Sequence, residues 1–488
     1  VSDLPAAQDV PQPPKPVEPP PPGSTGSRLA SLAVASALFM EFIDATSLST
    51  ALPTLAKAFD ADPVHLKLAL TSYILALAVF VPVSGWAAER FGARRVFLVA
   101  MAVFLAGSVL CGFSSSLPQL VVFRIIQGMG GALMTPVARL IVVGSTPKEK
   151  LLTAMGWFTM PALIGPLIGP PLAGFVLSVA DWPWIFWLNI PVGVLGMAAV
   201  MRFVPHIRTP DPGRFDWSGF LLSAIAISGV VAVAETAGVG LIPWPLQIVL
   251  VAVALACGWR YLHLARHKAR PILDLGLLRY PTYRASMLGG LFVRLGVGAG
   301  PFLMPLLLQV ALGWTPLQAG SVTLAGGLGV LGARPFAAFV LRRVGFRVML
   351  TTFVVIAAFL TAAPGFFTAA TPAALIMVLL FLAGFSRASQ FISANTIAFA
   401  EVPADKTPAA STLQAVSQQV GLALGISFGG VMLHFARGLG NGGELTSGDF
   451  TLPYLAVGAV TLLAVPVYLA LAPRAGANIS GHRRREDA

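Results

Sequence analysis

The chain has 488 residues, of which 56% are hydrophobic and 11% charged, and its mean hydropathy is +0.81. Soluble domains carry about a quarter of charged residues, so this composition excludes a soluble globular protein. Lys and Arg number 32 against 20 Asp and Glu, a net charge of +12 whose meaning depends on where the charges lie.

Residues 1–28 contain the run PQPPKPVEPPPPGSTGS, too rich in proline to bury a core, and read as a disordered or polyproline-like arm. The arm lacks the basic stretch leading directly into an apolar core that marks a cleaved signal peptide, so the first apolar run is expected to be retained. A membrane-crossing helix needs about 20 apolar residues. Fourteen such runs follow, at 29–53, 66–88, 95–115, 119–143, 151–178, 184–204, 217–238, 244–262, 284–311, 316–342, 347–368, 372–400, 408–436 and 450–472. The expected fold class is an all-α polytopic membrane protein with 14 transmembrane helices and both termini on one side.

Excess Lys and Arg mark cytoplasmic loops. The tails and the even-numbered loops carry 25 of the 32 basic residues, including Arg90, Arg94 and Arg95, six between Arg260 and Arg284, and Arg342, Arg343 and Arg347. The opposite loops hold Lys57, Lys67 and Arg437, and Arg124, Arg294, Arg334 and Arg387 fall inside apolar runs. Both termini are therefore expected to be cytoplasmic, and the positive charge reads as topology rather than as a nucleic-acid footprint. Arg90-Phe-Gly92-Ala-Arg94 after the second run is echoed by Arg343-Val-Gly345-Phe-Arg347 after the tenth. An offset of eight helices predicts two pseudo-symmetric six-helix halves, 29–204 and 284–472, with two inserted helices within 205–283 and a basic tail at 473–488.

The loop after the second run reads Gly85-Trp-Ala-Ala-Glu89-Arg90-Phe-Gly92-Ala-Arg94-Arg95. Gly85 suits close helix approach and Gly92 a tight turn, while Glu89 and Arg90 can form ion pairs that break and remake as the halves rock. This spacing resembles the cytoplasmic signature of the major facilitator superfamily, with Glu89 where that family usually has Asp. Phe42-Ile-Asp44-Ala-Thr-Ser-Leu-Ser-Thr-Ala-Leu-Pro53 resembles the first-helix signature of its 14-span drug:proton antiporters. Leu120-Val-Val-Phe-Arg124-Ile-Ile-Gln127-Gly128 resembles the fourth-helix signature, and Gly165-Pro166-Leu-Ile-Gly169-Pro170 the fifth-helix antiporter motif, with Pro170 in place of its closing glycine. Trp184-Ile-Phe-Trp-Leu-Asn189-Ile-Pro191-Val-Gly193 is also similar to the sixth span of that family. Phe292-Val-Arg294-Leu-Gly296 and Ser386-Arg387 place the resemblance nearest to one multidrug-transport branch, and it covers about residues 29–472. The resemblance implies export by proton-coupled antiport, a coupling role for Asp44 and Arg124, and a gating role for the fifth span.

The ionisable residues within the spans carry a reading of their own. Glu41 and Asp44 stand three apart on one helix face, about 4.5 Å along the axis. A charge at the bilayer centre costs at least about 2.5 to 3.5 kcal/mol, so such groups face a cavity or a partner and mark ion or substrate pathways. Two adjacent carboxylates in low dielectric hold one proton more tightly than either alone; which of them carries it stays open. Arg124 lies at a depth within a turn or two of Asp44 and cannot discharge, so a nearby carboxylate is its expected partner, released on protonation.

Arg294 and Arg387 in the second half, with Gln127, Gln390 and Asn395, are candidate substrate-cavity residues. Permanent positive charge facing a cavity repels cations and attracts carboxylates, which points to an organic anion or its metal chelate, citrate-like, as the second expected substrate class beside the leading one, the amphipathic drugs or toxic organics that the resemblance implies. The alternative is that both arginines neutralise Glu41, Asp44 or Glu235. Glu235, near the end of the seventh run, reads as a rim residue; Arg334 is left open. Gly156, Gly165, Gly169 and Gly174 in the fifth run suit close packing, and Pro161 and Pro166 bending at a gate.

Other matches carry no chemistry. Gly425-Ile-Ser427-Phe-Gly429 and Gly327-Leu-Gly329-Val-Leu-Gly332 match a nucleophile elbow and a dinucleotide loop, but no strand precedes either. His434 reads as a structural residue at a helix end, and Cys111 and Cys257 give neither a disulfide nor a metal site. Without a phosphate-binding loop the expected energy source is the proton gradient, with no cofactor, no metal and no catalytic residues. The expectation is therefore not an enzyme but a monomeric secondary exporter in a bacterial-type plasma membrane, its partners a small-molecule substrate, protons and lipid. A receptor or scaffold that transports nothing is the rival of another class.

Overall fold

Where no water is available, every backbone N–H and C=O of a spanning segment must be satisfied within it, and the helix is the local solution for long apolar runs. A computed structural model describes residues 25–146, 150–205, 213–237, 242–268, 271–439 and 443–477. Most of the Pro-rich arm and the end of the basic tail lie outside the described residues, among which there is no strand. Among the described residues, thirteen helices are long and apolar enough to cross a membrane. The chain is an all-α, multi-pass membrane protein.

In chain order α1 is Thr25–Ala58, α2 Lys67–Phe91, α3 Ala93–Gly112, α4 Leu117–Ser145, α5 Leu151–Val179, α6 Trp184–Phe203, α7 Trp217–Thr236, α8 Trp244–Ala265 and α9 Pro281–Ala311. The segment Pro316–Ala362 is two helices, α10 (316–344) and α11 (346–362), meeting at Gly345, whose backbone is not helical. Last come α12 Ala373–Ala398, α13 Thr407–Leu439 and α14 Ser447–Leu469. The predicted run 316–342 is α10, so each of the fourteen apolar runs falls on a helix. Beyond Pro305 the end of α9 widens into a π turn, closed by the Leu312 N–H on the Leu307 carbonyl at 3.0 Å.

The sequence echo is also an echo of backbone geometry. Gly92, between α2 and α3, has φ 89°, and Gly345, between α10 and α11, has φ 76°. Both lie in the region that L side chains rarely adopt, and each glycine has an arginine two residues before it and another two residues after it. Around these corners α1–α6 pack into one bundle and α9–α14 into a second. The bundles meet along the pairs α2–α13, α5–α10 and α1–α9. The inserted α7 and α8 pack on each other, and α7 also lies against both α2 and α13. Trp244, Ile248, Leu255 and Trp259 of α8 are exposed, as lipid-facing residues are. Below, the end bearing the basic loops is called inner and the opposite end outer.

A core cluster at the outer end draws on both bundles, with Leu48, Leu52 and Leu55 of α1, Leu66 and Leu70 around the start of α2, Phe302 and Leu306 of α9, and Ile426 and Leu433 of α13. On α5 the glycines divide. A Cβ on Gly165 would lie 2.7 Å from the Phe42 Cβ, and one on Gly174 2.7 Å from the Leu317 Cα. Gly169 is closed off by Thr46, and its carbonyl accepts from Ser47 Oγ at 3.2 Å. These three glycines let α5 pass between α1 and α10. Gly156, expected to serve the same packing, has nothing within 4 Å, and neither does Gly85 of the loop signature. The close approach expected at both positions is therefore absent.

Replacing Gly165 by Val should cost about 1 to 3 kcal/mol through overpacking against α1, visible as a lower thermal midpoint of the detergent-solubilised protein. Gly156→Ala should leave that midpoint unchanged.

Candidate functional site: a buried carboxylate and arginine network

The polar residues of the first half converge where α1, α3, α4 and α6 meet. Gly107 of α3 makes the convergence possible: a Cβ there would stand 2.6 Å from the Cα of Gln127, so α3 and α4 touch backbone to backbone. Asp44 of α1 is 1% exposed, and Arg124 and Gln127 of α4 are fully buried. Arg124 Nη1 donates to Asp44 Oδ2 at 2.5 Å and to Gln127 Oε1 at 2.6 Å. Its Nε donates to the Ala69 carbonyl of α2 at 3.2 Å, and the guanidinium lies 4.3 Å over the Tyr73 ring.

The other Asp44 oxygen accepts from Gln127 Nε2 at 2.8 Å and from Asn189 Nδ2 of α6 at 2.9 Å. Ser108 of α3 closes the circuit. Its Oγ accepts from Asn189 at 2.9 Å and from Gln127 at 3.3 Å, and donates to the Phe186 carbonyl at 2.9 Å. The Cys111 thiol completes the set, donating to Gln127 Oε1 at 3.7 Å. A single carboxylate thus takes donors from two helices besides its own, and a buried ion pair is tolerable only where its remaining lone pairs and protons are satisfied in this way.

Glu41, one turn before Asp44, has a different environment. It is half-buried and accepts from Thr135 Oγ1 of α4 at 2.9 Å. The two acids named together from their spacing are therefore separated by geometry: one is locked into an ion pair, the other held by a neutral hydroxyl.

Gln127, expected to line the substrate cavity, belongs instead to the Asp44 network. Among the described residues Arg294 and Arg387 form no ion pair within 4 Å; of the acids suggested as their partners, Asp44 is bound by Arg124, Glu235 by Lys67 and Glu41 by the Thr135 hydroxyl. Arg294 of α9 is 6% exposed, and its Nε and Nη1 have no hydrogen-bond partner among the described residues. Room for it is left by two glycines, with a Cβ on Gly290 falling 3.0 Å from its Nη1 and one on Gly421 3.0 Å from its Cβ. Arg387 of α12 is half-buried, its Nη1 3.9 Å from where a Gly300 Cβ would stand. Gln390 donates to Tyr468 Oη at 2.8 Å, and Asn395 accepts from Gln414 at 2.7 Å. Glu235, read as a rim residue, is 3% exposed and ion-paired.

Of the loop signature, Arg94 donates to the Met201 carbonyl at the end of α6, fastening the inner loop to its own bundle. Glu89 and Arg90 are exposed at the last turn of α2. Ser108, Asn189 and Tyr73 had no assigned role. Asn189 stands inside the sixth-span signature, which was its one sequence signal.

The profile of the Major Facilitator Superfamily matches residues 34–265 and 286–487. The chain belongs to this superfamily. Among curated relatives of this transporter, "Putative multidrug resistance protein MdtD" of Klebsiella pneumoniae is 35% identical over 454 residues, covering 92% of this chain and 96% of the relative. The protein of the same name in Pectobacterium carotovorum is 33% identical over 443 residues, covering 89% and 93%. Among solved structures, a peptide transporter POT in complex with sulfate aligns with a TM-score of 0.68 at 14% identity, covering 92% of this chain and 95% of that one. The nucleoside transporter NupG aligns with a TM-score of 0.63 at 11% identity, covering 90% and 99%. At these identities the structures establish the fold.

Breaking the pair from one side leaves the other charge buried, so Arg124→Gln alone should destabilise by about 3 to 5 kcal/mol. The double variant Asp44→Asn, Arg124→Gln should lose less than the sum of the singles. Thermal unfolding in detergent should give a coupling of about 1 to 3 kcal/mol.

Proposed function

We propose that this superfamily member is a proton-coupled secondary exporter of amphipathic drugs or other toxic organic compounds, working by alternating access in a bacterial-type plasma membrane with both termini cytoplasmic. The observation that carries this reading is the buried Asp44–Arg124 pair. Arg124 is permanently charged, so the one way to dissolve the pair within the protein is to protonate Asp44.

Arrival of a proton from outside removes the carboxylate charge and weakens the bonds from Arg124, Gln127 and Asn189 together. Arg124 keeps its hold on the Ala69 carbonyl and on Tyr73, so the freed element is α1 relative to α2, α4 and α6. Glu41, one turn nearer the inner end, is placed to take the proton onward, and its loss inside restores the pair. The proton gradient supplies the energy without a bound cofactor, and a monomer holds every residue that this cycle uses. Glycine contacts on α5 and the prolines within it suit the gate between α1 and α10. The named multidrug resistance relatives support the substrate class.

A second reading, export of an organic anion or its metal chelate, is favoured by Arg294, whose buried guanidinium has, among the described residues, neither an acid within 4 Å nor an acceptor on Nε and Nη1.

Inside-out vesicles energised to an acid interior separate the two. Addition of ethidium should collapse the proton gradient, addition of citrate should not, and the Asp44→Asn, Glu41→Gln variant should respond to neither. Collapse by citrate alone assigns the anion reading. A wild-type response that persists undiminished in the double acid variant removes the coupling role of Asp44 and Glu41.

Arg294→Gln combined with Arg387→Gln gives a further check by the same assay. The ethidium response should survive this change, whereas any citrate response should disappear.

A further inference from the structure

A second buried ion pair lies outside the site described above, at the outer end of the bundle. Lys67, the first residue of α2, is fully buried, and its Nζ stands 3.5 Å from Glu235 Oε2 near the end of α7. The other Glu235 oxygen accepts from Ser427 Oγ of α13 at 2.5 Å. One turn outward on α13, a Cβ on Gly430 would lie 2.6 Å from Lys67 Cδ and 3.1 Å from its Nζ, so the bare glycine gives the lysine its seat. One buried point thus joins a cation of the first half, an acid of the inserted pair, and a hydroxyl and a glycine of the second half.

The location gives this point a meaning. The halves meet along α2 and α13, and further polar links cross between them at the same end. Arg437 pairs with Asp62 at 2.8 Å, Gln309 of α9 donates to the Thr50 carbonyl of α1 at 2.8 Å, and Ser49 donates to the Pro301 carbonyl. The Lys67 point differs in that its acid comes from α7, a helix of neither half. The groups facing Glu235 are Lys67 and Thr71 from α2 and Ser427 from α13; α8 directs Gln247 to the Thr236 and Ile242 carbonyls. Well-packed apolar residues commonly match or exceed a buried ion pair in stability, so a buried pair at this junction is not accounted for by stability alone.

We propose that α7 is a working part of the transport cycle: Glu235 positions Lys67 against α13 and holds the outer gate shut, and the parting of Lys67 from Glu235 lets α2 and α13 separate. This rests on the alternating-access reading above, but its test needs neither substrate nor proton movement. Because the pair is buried among three helices, its parting is coupled to their separation and not to a local rearrangement at the surface.

The full-length protein in proteoliposomes carries Cys257→Ser, with buried Cys111 retained, and Thr54→Cys as the reporter. Thr54 lines an outer cleft of about 540 Å³ between the halves, with Gln309 and Trp314 opposite. A membrane-impermeant maleimide applied from outside reads its exposure. Glu235→Gln and Lys67→Met should each raise the labelling rate about tenfold, through a shift toward the outward-open population. The exchanged pair Lys67→Glu, Glu235→Lys should return the rate toward that of the parent, which a merely structural role would not require. Gly430→Ala, which displaces the lysine and keeps both charges, should also raise it and serves if the charge variants do not fold. Labelling of folded Glu235→Gln or Gly430→Ala protein at the parent rate, or of the exchanged pair as fast as the singles, overturns the proposal. A failed proton assay with an intact labelling response would overturn the antiport reading and leave the gate assignment standing.

Discussion

A guanidinium inside a low-dielectric bundle cannot shed its charge, and the arrangement of the first half follows from that constraint. Arg124 requires an anion, a set of acceptors and a polarisable wall, and Asp44, Gln127, the Ala69 carbonyl and the Tyr73 ring supply them. Asp44 in turn requires donors, which brings in Asn189 and, behind it, Ser108. The glycine at 107 then becomes obligatory, because a side chain there would push α3 away from α4 and open the circuit. Five helices are thereby positioned by one charge.

The second half solves the same problem incompletely. Arg294 is also buried, but among the described residues its neighbours are Gly290, Gly421 and the tyrosines Tyr283 and Tyr468 rather than an acid. The two halves share the corner geometry of Gly92 and Gly345, and they differ in how their internal charges are met. In the first half the buried arginine is ion-paired, whereas among the described residues Arg294 of the second half has no acid within 4 Å and no acceptor on Nε and Nη1.

How much of this was legible in the sequence depends on how rare each signal is. Apolar runs long enough to span gave the helices directly, since lipid permits few alternatives. Asp44 and Arg124 stood out because charges within such runs are scarce. Ser108 and Asn189 did not, because small neutral polar residues are common in membrane helices and acquire a role through partners distant in sequence. Gly85 and Gly156 look the same in sequence as Gly165 and Gly174, yet the first pair faces open space and the second faces backbone or packed side chains. Lys67 and Glu235 lie at helix ends, where sequence alone does not separate a wet loop charge from one covered by another helix. The inserted pair that covers them was counted correctly, but its docking against α2 and α13 was not encoded in any local pattern.

The helix α5 keeps α-helical form from Leu151 to Val179 although Pro161, Pro166, Pro170 and Pro171 lie within it. Each proline withholds an N–H, so the carbonyl four residues earlier loses its usual donor. The missing bonds are concentrated between residues 157 and 171, about 20 Å of axis at 1.5 Å per residue. Over that length α5 is mechanically softer than its neighbours, and bending it breaks fewer backbone bonds than bending α4 or α13. When two rigid bundles tilt against each other, the strain collects in the most compliant rod that touches both.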